Sequence, residues 1–302
     1  MGQSRERMAG KGEHGVTRRR ELELRRHTFG EVREIMNSMK TLAYMETRKL
    51  ARFLDAQRAV VKHTEAMAAD FLGFFPETLP LVEDSLPVYL LIGSERGFCG
   101  DFNDLLLHHL ESHAGDRNIE NPLLIASGSK LAMRLEHDPR VVALLEGANV
   151  VEEVEKTLDQ IVHTLSGLQA QHGTLSLSVL YHDPDKEQIS VAEVLPPFES
   201  YRNITPQFSH PPLINLPPEE FLVELIDNHL FATLHKIMFV SLMAENLRRV
   251  QHLEGAVQHL DDKSEDLLRV CNALRQEEII EEIEVILLSA TGLDPLKHHL
   301  KE

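Results

Sequence analysis

The 302-residue sequence has no tryptophan, 5% aromatic residues and only two cysteines. Cys99 and Cys271 stand far apart with no CxxC pair, which speaks against a thiolate zinc site or a disulfide framework and fits a reducing compartment. Long apolar runs are missing as well. Stretches such as Val88–Ile92 and Leu123–Ala126 are far shorter than the roughly 20 residues of a membrane span, so a soluble chain with no direct membrane span is expected. No apolar stretch follows Met1, and Glu6, Glu13, Glu21 and Glu23 are out of place in a transit peptide, so no targeting segment is expected. Positive charge is scarce, with 31 Lys+Arg against 48 Asp+Glu for a net charge of −17. It is also unevenly placed: residues 1–52 carry 13 Lys/Arg and 7 Asp/Glu, a net of +6, which leaves −23 for the other 250. An acidic body excludes nucleic acid as the main partner, because phosphate binding draws on net positive surface. A basic end on such a body points to docking against an acidic partner.

Hydrophobic residues make up 42% of the chain, enough to bury a core, and the length suggests two structural units at about 150 residues each. Proline is absent before Pro76. Residues 1–24, rich in Gly and Arg at first and without periodicity, read as a flexible basic tail. A helix is expected over 25–75. Positions 32, 36, 39, 43, 46, 50, 53, 57, 60, 64, 67 and 71 are apolar at nine of the twelve, the alternating spacing of a coiled-coil seam. The other end mirrors it over 213–292. Leu216-Pro217-Pro218-Glu219-Glu220 is a helix start, with prolines suited to the first turn and acids facing the positive terminus. Val250, Leu253, Val257, Leu260, Ser264, Leu267, Cys271 and Leu274 form a second seam, expected to shift phase and resume at Ile279, Ile283, Ile286 and Ala290. At 1.5 Å per residue these helices reach about 60 Å and about 100 Å, too long for one globular domain. They are expected to pair antiparallel, with residues 293–302 as a tail.

The middle, 85–212, has another rhythm. Val88–Ile92 and Leu123–Ala126 read as short buried strands, each ending in a glycine turn and leading into a helical stretch. Val151, Val154, Leu158, Ile161, Leu165 and Leu168 mark an amphipathic helix. Leu175–Tyr181, a turn at Asp183-Pro184-Asp185 and a return through Ile189 and Val191 read as a hairpin. Strand–helix–strand–helix order predicts a small Rossmann-like α/β sandwich with at least two parallel strands. The fold class is therefore mixed: a long antiparallel coiled coil of both chain ends plus that α/β domain.

Chemistry-bearing motifs are few. Ser94–Asn103 follows a strand and precedes a helix, where phosphate loops occur, but it contains neither GxGxxG nor GxxxxGK[ST], and in Gly128-Ser129-Lys130 the Lys and hydroxyl are in reversed order. No cofactor-binding site follows from either. Cys99 at a helix start, with His108, His109 and His113 downstream, allows a nucleophile, though packing is the better reading. His109 and His113 have metal-ligand spacing without an HExxH pattern, so no metal site and no catalytic residue is assigned. Arg33, Lys40, Arg48, Lys49 and Arg52 make a basic track along the first helix, and Glu277, Glu278, Glu281, Glu282 and Glu284 an acidic one along the last.

Taken together, these segments resemble the gamma subunit of F-type ATP synthases. Ile35–Lys40 followed by Arg48-Lys49-Leu50 is similar to I-T-K-A-M-K-M-V and K-L-R-R of that family. Ser94, Glu95, Arg96, Gly97, Phe98, Cys99, Gly100 and Asn103 match its S-D-R-G-L-C-G-x-x-N turn, Gly128-Ser129-Lys130 its G-S-K, and Leu195-Pro196 its strand end. Ala244-Glu245-Asn246 through Arg249 is similar to S-E-x-x-x-R, and Arg275-Gln276 with Ile279, Glu282 and Ile286 to R-Q-x-x-I-x-x-E-L-x-x-I. Asn37, Tyr44-Met45-Glu46 and Ile280-Glu281 depart from the pattern and point to a divergent member, with an alternative bacterial ATPase as its expected setting. The resemblance implies a non-catalytic rotor shaft without cofactor, coupling ion flow to ATP synthesis or hydrolysis. Its implied partners are a ring of alpha and beta subunits, an epsilon subunit and a membrane ring of c subunits. Met39, Lys40, Arg249, Gln276 and Glu282 would meet beta subunits. The implied location is peripheral, on the cytoplasmic face of a bacterial inner membrane. The competing expectation is a free-standing α/β enzyme that uses the Ser94–Asn103 turn and dimerises through its helices.

Overall fold

A computed structural model describes residues 2–81, 84–117, 119, 121–186, 188–202, 204–206 and 208–291, with the side chains of 2–16, 188 and 288–291 excepted. The chain divides into two compact units, Met1–Met39 with Leu253–Glu302, and Lys40–His252. Among the described residues no helix is long and apolar enough to cross a membrane.

Two helices run through both units, α1 (Gly2–Phe74) and α5 (Pro218–Thr291). The start of α1 at Gly2 takes in the stretch read from sequence as a tail. Its Arg, Glu, Met, Ala and Lys residues are good helix formers even where no apolar stripe marks them. The tail expected over 293–302 lies outside the described residues. Within Lys40–His252 the two helices run antiparallel: Thr64 Oγ1 meets His229 Nδ1 at 3.1 Å, and the rings of Phe71 and Phe221 lie 4.9 Å apart. The other unit is antiparallel too, with Arg33 bound to Asp261 at 2.5 Å and Arg19 to Glu278 at 3.0 Å.

The buried stripes differ from the expected seams in two places. On α1 the buried positions are Ala43, Thr47, Leu50, Leu54, Val61, Ala68, Phe71 and Leu72, whereas Phe53, Val60 and Met67 are nearly half exposed. Both neighbours of each pair (53/54, 60/61, 67/68) are apolar, so periodicity alone admits either line, and packing takes the line containing Ala68. On α5 no phase shift occurs. The stripe of Leu253, Val257, Leu260, Ser264, Leu267, Cys271 and Leu274 continues to Glu278, which is partly covered and reaches Arg19. Ile279, Ile283 and Ile286 are at least 46% exposed, and the side chain of Ala290 lies outside the described ones. The salt bridge satisfies an acid at the end of the stripe, and residues 279–287 beyond it are all exposed.

The α/β domain lies in the unit Lys40–His252. Its sheet contains β1 (Leu86–Ile92), β2 (Leu123–Ser127), β3 (Val141–Leu145), β4 (Leu175–Asp183) and β5 (Gln188–Leu195), in the order β3-β2-β1-β4-β5. β1 pairs in parallel with β2 and β4, β2 in parallel with β3, and β5 closes an antiparallel hairpin on β4. Successive side chains of a strand point to opposite faces, and β1 uses both. Val88, Leu90 and Ile92 pack with α4 (Val154–His172), with α5 at Leu234, Ile237, Met238 and Leu242, and with Leu50 and Leu54 of α1. Tyr89 and Leu91 pack on the other face with α2 (Phe102–Asp116) and α3 (Ser129–Leu135). α4 buries the expected stripe of Val154, Leu158, Ile161, Leu165 and Leu168. The edge strand β3 went unrecognised in the sequence because none of its residues is fully buried.

Candidate functional site

The Ser94–Asn103 turn sits where β1, β2 and β3 end, the place at which open α/β sheets bind ligands. Here the crevice is filled from within. The Glu95 carboxylate accepts the Ser129 amide at 2.8 Å, the Ser129 hydroxyl at 2.6 Å and the Gly147 amide at 2.7 Å. The backbone closes in behind it. Lys130 N donates to Ser94 O at 3.0 Å and Gly128 N to Leu145 O at 3.0 Å. A Cβ on Gly93 would stand 2.4 Å from Leu131 Cβ, and one on Gly128 would stand 2.8 Å from the carbonyl oxygens of Gly93 and Ser94. Ser94 is fixed by Asn103, whose Oδ1 accepts its amide at 3.0 Å and whose Nδ2 donates to its hydroxyl at 2.9 Å. A side-chain carboxylate thus takes the amides that a bound anion would need.

The other side of the turn is held by α5. The Glu245 carboxylate accepts Glu95 N at 3.3 Å and Arg96 N at 3.2 Å and is paired with the Arg249 guanidinium one turn on. Arg249 donates in addition to Gly97 O at 3.2 Å and to Asn246 Oδ1 at 2.8 Å. Burial pushes the Glu245 carboxyl above the ordinary carboxylate range, while Arg249 and the two amides pull the other way. Neither Glu95 nor the Glu245–Arg249 pair was singled out in the sequence for this task. The available signals were the resemblance of Glu245 through Arg249 to S-E-x-x-x-R and the i,i+4 spacing of opposite charges on an apolar helix.

Cys99 is buried, and its thiol donates to Gly97 O at 3.4 Å and Arg96 O at 3.5 Å. Burial pushes this thiol up to about 12, the opposite of what a nucleophile needs. With the thiolate fraction near neutrality cut about a thousandfold, Cys99 is expected to resist a disulfide reagent in the folded chain and to react quickly in denaturant. Fast labelling of Cys99 under native conditions would contradict this. His109 and His113 stack with ring centroids 6.4 Å apart on α2, and His113 meets Tyr89 edge-on at 5.9 Å.

His182 lies behind the turn. Its ring stacks on Phe102 at 3.6 Å, and Nε2 donates to Phe102 O at 2.7 Å. Burial lowers its pKa from 6.5 to about 4. The native ring therefore stays neutral where the unfolded chain takes up a proton. Stability is complete above pH 6.5 and is lost as pH falls toward 4, by about 3 kcal/mol in all. His182→Gln is expected to flatten urea-unfolding stability against pH in this window, and an unchanged slope would rule His182 out as its source.

The remaining expected positions are dispersed. Met39 and Lys40 are partly buried on α1, and Gln276 and Glu282 are exposed on α5. Arg249, placed by resemblance on a partner-facing surface, is instead 5% exposed and occupied within its own chain. Along the basic track, Arg33 pairs with Asp261 and Lys49 with Glu152.

Long helices from opposite chain ends, antiparallel in each unit, and an α/β domain whose strand-end crevice is filled by its own carboxylate define a paired-helix protein with an inserted α/β domain. The comparisons with known proteins carry this to a family. The family model described as ATP synthase matches residues 18–293, and the chain belongs to the ATP synthase gamma-chain family. It is 23% identical to the ATP synthase gamma chain of Clostridium botulinum strain Langeland over 286 residues, covering 92% of this chain and 97% of the relative. For strain Eklund 17B the identity is 25%, with 88% and 95% covered. Among solved structures, a chain of the Euglena gracilis mitochondrial ATP synthase (OSCP/F1/c-ring) superposes with a TM-score of 0.61 at 14% identity, covering 95% of this chain and 100% of that one. A chain of the Tetrahymena thermophila mitochondrial ATP synthase (central stalk/c-ring) gives 0.54 at 15% identity, covering 74% and 99%.

Proposed function

We propose that this chain is the central rotor shaft of an F-type ATP synthase or ATPase, a non-catalytic subunit that links ion flow through a membrane ring to ATP chemistry in beta subunits. The observation that carries the reading is the pairing of α1 with α5 around an inserted α/β domain, in a chain that spans nearly the whole length of its gamma-chain relatives. A shaft makes no bonds. It biases each surrounding site toward a different conformation, so that rotation and nucleotide occupancy are linked. The partners in this reading are alpha and beta subunits, an epsilon subunit and a c-ring, and the location is the cytoplasmic face of a bacterial membrane, reached through the complex. The Ser94–Asn103 alternative of a free-standing enzyme loses its ligand space to Glu95.

Met39, Lys40, Gln276 and Glu282 are the proposed beta-facing positions, and Arg249 is reassigned to the clamp inside the chain. The test is co-expression with alpha and beta subunits from the same source. Co-purification of one shaft chain with the ring is expected, as is disulfide crosslinking of Met39→Cys or Gln276→Cys to cysteines introduced in beta. Failure of the unaltered chain to co-assemble would overturn the reading.

A further inference from the structure

We propose that Glu245, Arg249 and Glu95 form a latch that fixes the rotational register of α5 on the α/β domain, so that the domain turns with the helix instead of slipping around it. The inference rests on the rotor reading and assigns the three residues as positioning residues for coupling.

Most of the contact between α5 and the sheet is apolar, through Leu234, Ile237, Met238 and Leu242 against β1 and β4. Apolar adhesion is strong but non-directional, and along Ile237, Met238, Phe239 and Val240, four successive buried apolar residues, it does not by itself single out one rotation of the helix. The latch is directional. Glu245 and Arg249 present an acceptor pair and a donor one helical turn apart, and the turn at 95–97 answers with two amides and a carbonyl. Rotating α5 by one residue would carry both side chains about 100° away from these partners. The chain of bonds then continues. The residue whose amide Glu245 holds, Glu95, sends its own carboxylate to Ser129 after β2 and to Gly147 after β3. Three strand-end loops are thereby tied to one face of α5. A buried ion pair is weak evidence for stability when weighed against apolar packing, and its best-attested use is to specify register.

Glu95→Gln is the informative variant, since Glu95 is only partly buried and the change preserves its shape while replacing the charged oxygen that both amides share with a neutral amide oxygen. It is tested in the assembled complex, in vesicles, by measuring ATP-driven ion uptake per ATP hydrolysed together with amide exchange. Exchange at Ser129 and Gly147 is expected to accelerate about tenfold or more as their acceptor weakens. Uptake per ATP is expected to fall about threefold or more while hydrolysis is largely retained, within the range that changes along a coupling network produce. Ser129→Ala, which deletes one bond, should fall between this variant and wild type, and Arg249→Lys should reproduce the loss of coupling because an ammonium lacks the fork that spans Glu245, Asn246 and Gly97. A merely structural role would lower the yield of complex without moving the ratio of uptake to hydrolysis. Accelerated exchange with an unchanged ratio, or unchanged exchange at both amides, overturns the latch alone. An unaltered chain that assembles into no complex overturns the rotor reading, and the latch with it.

Discussion

Glu245→Ala is expected to destabilise the chain by about 3–5 kcal/mol, read as a drop in urea-unfolding free energy at neutral pH, because it strands a buried guanidinium. Arg249 is 5% exposed, and its remaining partners, Gly97 O and Asn246 Oδ1, are both neutral. The amides of Glu95 and Arg96 lose their acceptor in the same step. The double variant Glu245→Met with Arg249→Met removes both charges and should recover part of the loss. It cannot recover all of it, since two amides and a carbonyl of the turn stay unmatched, at about 1–3 kcal/mol for each one that water does not reach. A Glu245→Ala chain within 1 kcal/mol of wild type would mean that the pair is solvated in solution and would remove the basis for treating it as a clamp.

Gly128→Ala is expected to cost about as much, roughly 3–5 kcal/mol, for a steric reason. Gly128 has φ of +118°, a conformation that side chains rarely adopt, and its Cβ would approach the carbonyl oxygens of Gly93 and Ser94 to 2.8 Å. Both are backbone atoms in the turn that Glu95 and Asn103 hold, so neither can yield without opening the crevice. Gly167→Ala is the matched control. Gly167 lies inside α4 with nothing within 4 Å of the added carbon, and the change should stabilise by about 0.5–1 kcal/mol. Thermal unfolding of the two variants side by side separates the effects, and equal midpoints would refute the crowding at Gly128.

The parts of the fold legible in the sequence are those set by local periodicity. The stripe of α4, the hairpin turn at Asp183-Pro184-Asp185 and the buried apolar run of β1 follow from neighbours a few residues apart. The same locality explains the misses. β3 is an edge strand without a fully buried residue, so its pattern carries little signal. The family turn was legible as a motif, but its occupant was not, because a glutamate in a loop is unremarkable until Ser129 and Gly147 are seen to point at it.

By itself, the sequence determined that both chain ends are long helices, that a parallel-type α/β domain interrupts them, and which motif turn joins β1 to α2. Hydrophobic period and proline placement act within a few residues and are written locally. Only the tertiary structure decided that Leu54, Val61 and Ala68 face the core in place of Phe53, Val60 and Met67, that Glu278 stays on the stripe, and that Arg249 is spent inside its own chain. The physical reason is the same in all three. Each choice is made by a partner up to about 260 residues away, and a burial stripe or a charge acquires its meaning only from what is packed against it.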